Sequence, residues 1–148
     1  GAEESFDILM STPPIEAVQA VRDTGISQAA DDEGWLPTDH ETMQVLGLEN
    51  VYVLGDTVDL PISKAGGSCH NQSPVVVNNI ASEIRYGTVS DAYDGRVVAI
   101  AQMGLENGMP LWYDYQDDVK PTPPNKIGGL MRKGFNRGVY WAVARGLI

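Results

Sequence analysis

The chain has 148 residues, 43% of them hydrophobic and 20% charged, and a formal net charge of −10. That length suits one domain with a core of its own, and the composition is that of an ordinary globular chain. An acidic chain argues against nucleic acid as the main partner, a single cysteine excludes an internal disulfide, and no apolar run approaches the ~20 residues of a spanning helix. The absence of a signal-peptide pattern at the start, together with the low cysteine count, leads to the expectation of a reducing, cytoplasmic compartment.

In chain order, Phe6-Asp7-Ile8-Leu9-Met10 reads as a buried strand that leaves its sheet through Ser11-Thr12-Pro13-Pro14. Ile15, Val18 and Val21 recur every third residue and predict a short helix over 15–22, stopped by Asp23-Thr24-Gly25. Asp31-Asp32-Glu33-Gly34 is an acidic turn. With no second cluster to complete a metal site, it reads as a solvated loop. Trp35-Leu36-Pro37 follows as an extended piece.

The stretch from Asn50 to Ile80 carries the chemistry. Val51-Tyr52-Val53-Leu54 predicts a strand that stops at Gly55-Asp56. A turn-rich loop leads to a long helix from Lys64, with Val75, Val76, Ile80, Ile84 and Cys69 marking its buried side. Pro74 is expected to distort it, and Gly87 to end it after Arg85. A strand end, a Gly-Asp pair and a helix N-terminus together form a crevice of the kind that binds ligands in open α/β sheets.

Asp56 is the best candidate there, as an acceptor for a sugar-type hydroxyl, with Gly55 letting a ligand approach the backbone. A turn or capping aspartate is the plainer reading. Lys64 lies where the helix dipole disfavours a cation, so it pairs with a carboxylate such as Asp59, meets an electron-rich ligand, or is simply solvated. Cys69 and His70 are neighbours that point in different directions on a helix, and His40 stands alone, so neither a Cys-His nucleophile nor a metal site is expected. No Gly-x-Gly-x-x-Gly and no P-loop pattern occurs.

Beyond Asp94-Gly95, the runs 96–103 and 109–115 predict a hairpin about Gly104–Gly108, turned by Asn107-Gly108, with Trp112 on a wet face. Lys120-Pro121-Thr122-Pro123-Pro124 is a stiff linker. The charge is segregated. Residues 1–118 hold all 20 acidic residues against Arg22, Lys64, Arg85 and Arg96, a net of −16, whereas 119–148 hold six basic residues and no acid. In that tail Ile127, Leu130, Met131, Phe135, Val139, Trp141 and Leu147 interleave with Arg132, Lys133, Arg137 and Arg145. Gly128, Gly129, Gly134 and Gly138 divide it, so two short amphipathic helices are expected. They would suit a membrane surface or a contact with further protein.

Asn50-Val51-Tyr52-Val53-Leu54-Gly55-Asp56, then Leu60-Pro61-Ile62-Ser63-Lys64-Ala65-Gly66 and a helix ending in Val77-Asn78-Asn79-Ile80, resembles the second FAD-binding motif of the pyridine nucleotide-disulfide oxidoreductases. Within them the chain is most similar to the sulfide:quinone oxidoreductase group. Phe6–Pro14 resembles the crossing segment that returns to the FAD domain, Trp35–Asp39 the piece before the Gly-Asp strand, and Tyr93-Asp94-Gly95 with the linker and basic tail the C-terminal region.

The resemblance implies a mixed α+β fold: the C-terminal part of an FAD-binding domain (1–86), a β-hairpin or small sheet (87–118), and a Pro-rich linker with terminal amphipathic helices (119–148). It implies that Gly55 and Asp56 bind the FAD ribityl or pyrophosphate region, and that the backbone at Lys64 and Ala65 faces the isoalloxazine. Lys64 would deliver a proton or orient a quinone, and the tail would dock on the inner face of the cytoplasmic membrane. The family's N-terminal glycine motif is missing, so the chain alone is expected to hold FAD poorly and to be inactive. The group also uses a cysteine shortly after Tyr-Asp-Gly, where Arg96–Ile100 has none. The electron donor is therefore sulfide or, as in type II NADH dehydrogenases, NADH. A non-catalytic docking module and a homodimer paired through exposed sheet edges are the other readings.

Overall fold

The computed structural model describes residues 5–27 and 33–147. Asp31 and Asp32 of the acidic turn lie outside them. The described residues form a mixed α+β fold. Its elements are α1 (Gln19–Arg22), β1 (Leu36–Pro37), a tight turn Gly55–Thr57, β2 (Val58–Asp59), α2 (Gly66–Tyr86), β3 (Val97–Met103), β4 (Asn107–Tyr113), α3 (Lys126–Gly134), a π turn (Phe135–Val139) and α4 (Tyr140–Val143). No described helix is long and apolar enough to cross a membrane.

β1 and β2 pair in parallel, Leu36 opposite Val58 and Pro37 opposite Asp59. The chain between them doubles back through antiparallel bridges, Thr38 with Val45 and Gln44 with Tyr52. Val51–Leu54 is therefore extended, as expected, but is held by single bridges in a looped layer rather than within a sheet. Met43, Val45, Val53, Val58 and Leu60 on this layer close over Val76 of α2 and Tyr93 to make the core. Met43 adopts the left-handed region at φ 64°, a conformation costing roughly 1–2 kcal/mol that the complete burial of its side chain offsets.

Phe6–Met10 is not a buried strand. It pairs with nothing described, and Phe6, Ile8, Leu9 and Met10 are exposed, Met10 at 92%. Apolar patterning makes a strand only where a neighbour supplies hydrogen bonds, and no described strand lies beside it. The helix expected over 15–22 shrinks to one turn, Gln19–Arg22, ending at Asp23 as foreseen.

α2 spans 21 residues without interruption at Pro74, which points outward, and Gly87 closes it in the left-handed region with its N–H on the Glu83 carbonyl. Its first helical residue is Gly66, with Ala65 rather than Lys64 at the N-cap. The buried face also differs from expectation. Ser68, Gln72, Val76 and Asn79 are buried, whereas Ile80 and Ile84 are exposed. α2 docks on irregular loops whose backbone groups need partners, so polar side chains line the contact.

β3 and β4 form the expected hairpin, but its turn is Gly104-Leu105-Glu106, with Asn107 and Gly108 inside β4. Gly108 serves close packing. A Cβ there would fall 2.5 Å from the Gly128 carbonyl carbon, so the two backbones touch. Val98 and Trp112 pair across the outer face and are both 54% exposed. The tail corrects another expectation. α3, the π turn and α4 run on as one helical segment, with helical dihedrals at Gly134, Val139 and Tyr140. Glycine costs only about 1 kcal/mol in a helix. That loss is met by the Asn125 cap, whose side chain accepts from the Gly128 N–H at 2.8 Å, and by docking on the hairpin.

Candidate functional site

The Gly55–Thr57 turn joins the end of the 51–54 stretch to β2 and packs against α2. Gly55 has φ 76°, a value that glycine adopts without a Cβ penalty. Its N–H donates to Gln72 Oε1 at 2.7 Å, and the Thr57 hydroxyl donates to the Leu54 carbonyl at 3.1 Å. Both polar groups of the Leu54–Gly55 peptide are thereby fixed. Asp56 follows on the exposed side of the turn, and its carboxylate makes no hydrogen bond or ion pair among the described residues.

Lys64 turns inward. Its Nζ donates to the Val58 carbonyl at 2.5 Å and lies 3.9 Å from the centroid of the Trp35 ring. Burial pushes its pKa down, against the opposing pull of Asp59, Asp56 and Glu33. The Trp35 indole N–H is itself held by Glu33 Oε2 at 2.7 Å. Lys64 thus ties the loop before α2 to β2 through a carbonyl and a ring face, with the acidic groups acting at a distance.

Ala65 is extended at φ −126° and ψ 151° and provides no side-chain cap to α2, whose first turn carries no acidic residue. The surroundings of the next two residues differ. Beyond Gly66 there is open space, whereas a Cβ on Gly67 would overlap the Val98 carbonyl of β3. The hairpin therefore closes one side of the helix N-terminus and leaves the other open. It also steadies the approach. The Tyr113 hydroxyl accepts from the Ser63 N–H at 3.0 Å, and Ser68 Oγ donates to the Ser63 carbonyl at 2.7 Å.

Gln72 is fully buried, and its Nε2 meets no acceptor at hydrogen-bond geometry. It faces the Tyr93 hydroxyl, which donates to the Arg96 carbonyl at 2.8 Å. Burial, aided by Asp94 and opposed by Gln72, pushes the Tyr93 pKa up to about 12. Asn71 Nδ2 reaches the same Arg96 carbonyl at 3.1 Å, which anchors β3 to α2. Cys69 Sγ lies 3.4 Å from where a Gly55 Cβ would stand, so the chain's one thiol flanks the turn. No sulfur stands in Arg96–Ile100. His40 lies elsewhere, stacked on Tyr115 with centroids 5.5 Å apart.

The structure thus brings Gly55, Asp56 and the α2 N-terminus together around Gln72, while Lys64 is engaged on the β2 side. Sequence reading overlooked Gln72, Trp35 and Tyr113. The available signal for the first was its spacing, four positions from both Ser68 and Val76 on one face of the helix. Among the described residues no group of three or more His, Cys, Asp or Glu is placed to hold a metal. An open cleft of about 270 Å3 lined by Pro61, Tyr113, Tyr115, Asp114, Asp117 and Asp118 shares no residue with the Gly55–Asp56 turn.

No protein-family profile matches the chain. It is similar to mitochondrial sulfide:quinone oxidoreductases, as the Gly-Asp motif indicated. It is 26% identical to that of Schizosaccharomyces pombe over 96% of this chain and 33% of the relative. It is 28% identical to that of Dictyostelium discoideum over 61% of this chain and 20% of the relative, and 27% identical to that of Mus musculus over 80% and 26%. The chain thus spans a third or less of these relatives. In fold it is similar to a chain in the cryo-EM structure of the Tetrahymena thermophila mitochondrial ATP synthase, with a TM-score of 0.65 and 22% identity. That match covers 77% of this chain and 28% of the other.

Proposed function

We propose that the chain supplies part of the flavin site of an FAD-dependent oxidoreductase that passes electrons through the flavin to a quinone. The observation that carries this reading is the Gly55–Asp56 turn set beside the open, uncapped N-terminus of α2, in a chain similar to the Schizosaccharomyces pombe sulfide:quinone oxidoreductase over 96% of its length. FAD, when bound, supplies two-electron acceptor chemistry of a kind no side chain provides.

The residues present fit such a group. Gly55, left-handed at φ 76°, turns the chain so that Asp56 is exposed, and among the described residues the Asp56 carboxylate has no partner, which leaves it to accept from a ribityl hydroxyl. Ala65 and Gly66 open α2, where unpaired N–H groups and the helix dipole favour electron-rich atoms. Lys64 orients the loop between them through Val58 and Trp35. To deliver a proton it would have to leave the Val58 carbonyl. The chain has no Gly-x-Gly-x-x-Gly of its own, so by itself it holds FAD weakly and turns over nothing. The basic, apolar segment 126–147, helical as far as Val143, docks the protein peripherally on the inner face of a membrane, where the quinone is found.

With no cysteine between Arg96 and Ile100, NADH stands beside sulfide as the donor. A second reading, a non-catalytic docking module, draws on the prior engagement of the Lys64 ammonium and the Gly55 N–H inside the protein. FAD titration of the chain, followed by flavin fluorescence, separates these readings. On the flavin reading FAD binds, and Asp56→Ala weakens binding by about tenfold or more. Absence of binding at millimolar FAD sinks that reading in favour of the module. Stoichiometric flavin after dialysis, with quinone reduction by sulfide or NADH, would overturn the proposed inactivity of the chain alone.

A further inference from the structure

The buried carboxamide of Gln72 makes no hydrogen bond within the helix that carries it. Its Nε2 faces the Tyr93 hydroxyl without reaching hydrogen-bond geometry to any described acceptor, and its Oε1 accepts one bond, from the Gly55 N–H at 2.7 Å. An apolar side chain of the same size would dock α2 without burying an unpaired donor. What such a side chain would lose is the inward pull on Gly55. With the Thr57 hydroxyl on the Leu54 carbonyl, that pull sets the plane of the Leu54–Gly55 peptide from both sides, and the left-handed Gly55 then turns the chain so that Asp56 emerges exposed.

We propose that Gln72 is the positioning residue of the cofactor site: it locks the Gly55 peptide so that the Asp56 carboxylate is presented beside the N-terminus of α2. The proposal rests on the flavin reading above for what Asp56 meets, but the lock itself is a property of the folded chain. Gln72 acts through Gly55 and touches no ligand. Cys69, one turn before it on α2, also packs against Gly55 and supplies no hydrogen bond to it. The carboxamide is therefore the polar anchor of the turn.

The test is amide NMR on the full chain with FAD as the probe, comparing wild type, Gln72→Met, which removes the acceptor, and Gln72→Glu, which keeps one. In Gln72→Met the amides of α3, which packs on the hairpin, keep their shifts, while the Gly55 amide exchanges about tenfold faster or more. FAD-dependent shifts at Gly55, Asp56 and Thr57 then need about tenfold more FAD to develop. Gln72→Glu restores both below the titration of its buried carboxyl. If Gln72→Met does not fold, Gln72→Asn, which withdraws the acceptor by one methylene, takes its place. Unchanged Gly55 exchange in the folded variant overturns the proposal, and so does unchanged FAD affinity. Absence of FAD shifts in the wild type overturns the flavin reading instead, and leaves the lock to be judged on Gly55 exchange alone.

Discussion

Gly129 of α3 lies directly on Glu106 of the hairpin turn: a Cβ at Gly129 would overlap the Glu106 carbonyl oxygen. The contact is repeated one residue earlier, where Gly128 meets Gly108, and Asn125 exchanges two backbone hydrogen bonds with Gly108 at 2.9 and 3.0 Å. The helix is thus attached to the hairpin backbone-to-backbone, with few side chains between. Gly129→Ala should loosen this attachment at a cost of roughly 1–3 kcal/mol, the range for overpacking a tight contact. Hydrogen exchange at 126–134 would rise while α2 stays protected. Unaltered protection of α3 would show that the contact yields without cost.

Asn79 is the counterpart on α2. Its Nδ2 donates to the Thr42 and Asp91 carbonyls at 3.1 and 3.0 Å, and its Oδ1 accepts from the Ser90 and Asp91 N–H groups at 3.0 and 2.8 Å. One buried amide therefore joins the loop after α2 to the loop before the 51–54 stretch. Asn79→Leu strands four backbone groups and should cost about 2–4 kcal/mol, read as a lower denaturation midpoint at unchanged slope. A loss under half a kilocalorie, on the scale of a surface change, would mean that water replaces the amide.

Alkaline pH should open the core. Burial is the first cause raising Tyr93 and Tyr52 to about 12 from 10.0, with Asp94 adding to it at Tyr93 and Glu83 at Tyr52; burial also raises Tyr115. The unfolded chain releases these protons first. Their contribution is therefore whole below pH 10.0 and is lost as pH climbs from there to about 12. On the acid side the Thr42 backbone N–H, chiefly, lowers the Asp39 pKa below 3.8. That contribution is present above 3.8 and fades as pH falls through the lowered value. Phenolate absorbance should show part of the six tyrosines titrating late and together with unfolding. Titration of all six near 10.0 in the folded chain would refute the burial argument.

The basic segment 126–147, helical as far as Val143, should bind anionic vesicles. Ile127, Leu130, Met131, Phe135, Tyr140 and Trp141 are exposed beside Lys133, Arg137 and Arg145, and Lys126–Glu106 at 3.5 Å is the one described ion pair from this run to the acidic part of the chain. Co-sedimentation with vesicles should be lost when residues 125–148 are removed, and weakened by salt. Equal binding with and without them would exclude the tail as the membrane contact.

Much of the chain was legible residue by residue because local rules governed it. The Gly-Asp stop after an apolar run, the Gly87 cap, the two strands about Gly104–Gly108 and the basic amphipathic tail all depend on backbone conformation and short-range pattern. The same signals carried the resemblance to sulfide:quinone oxidoreductases, which holds over 96% of the chain in the yeast relative. What depended on neighbours far away in sequence was not legible. Asn107-Gly108 reads as a turn by its dihedral preferences, yet the approach of Gly128 makes it strand. Phe6–Met10 reads as buried, yet no described strand lies beside it. Gln72 and Asn79 are polar and not among the residues that mark the helix's buried side by pattern, yet they are buried because loops distant in sequence present them with backbone groups that must be paired. The Gly55–Asp56 turn could be found in the sequence. That it is held from inside by Gln72, with Lys64 committed to Val58 and Trp35, was decided by tertiary contacts, because hydrogen bonds between remote residues leave no periodicity to read.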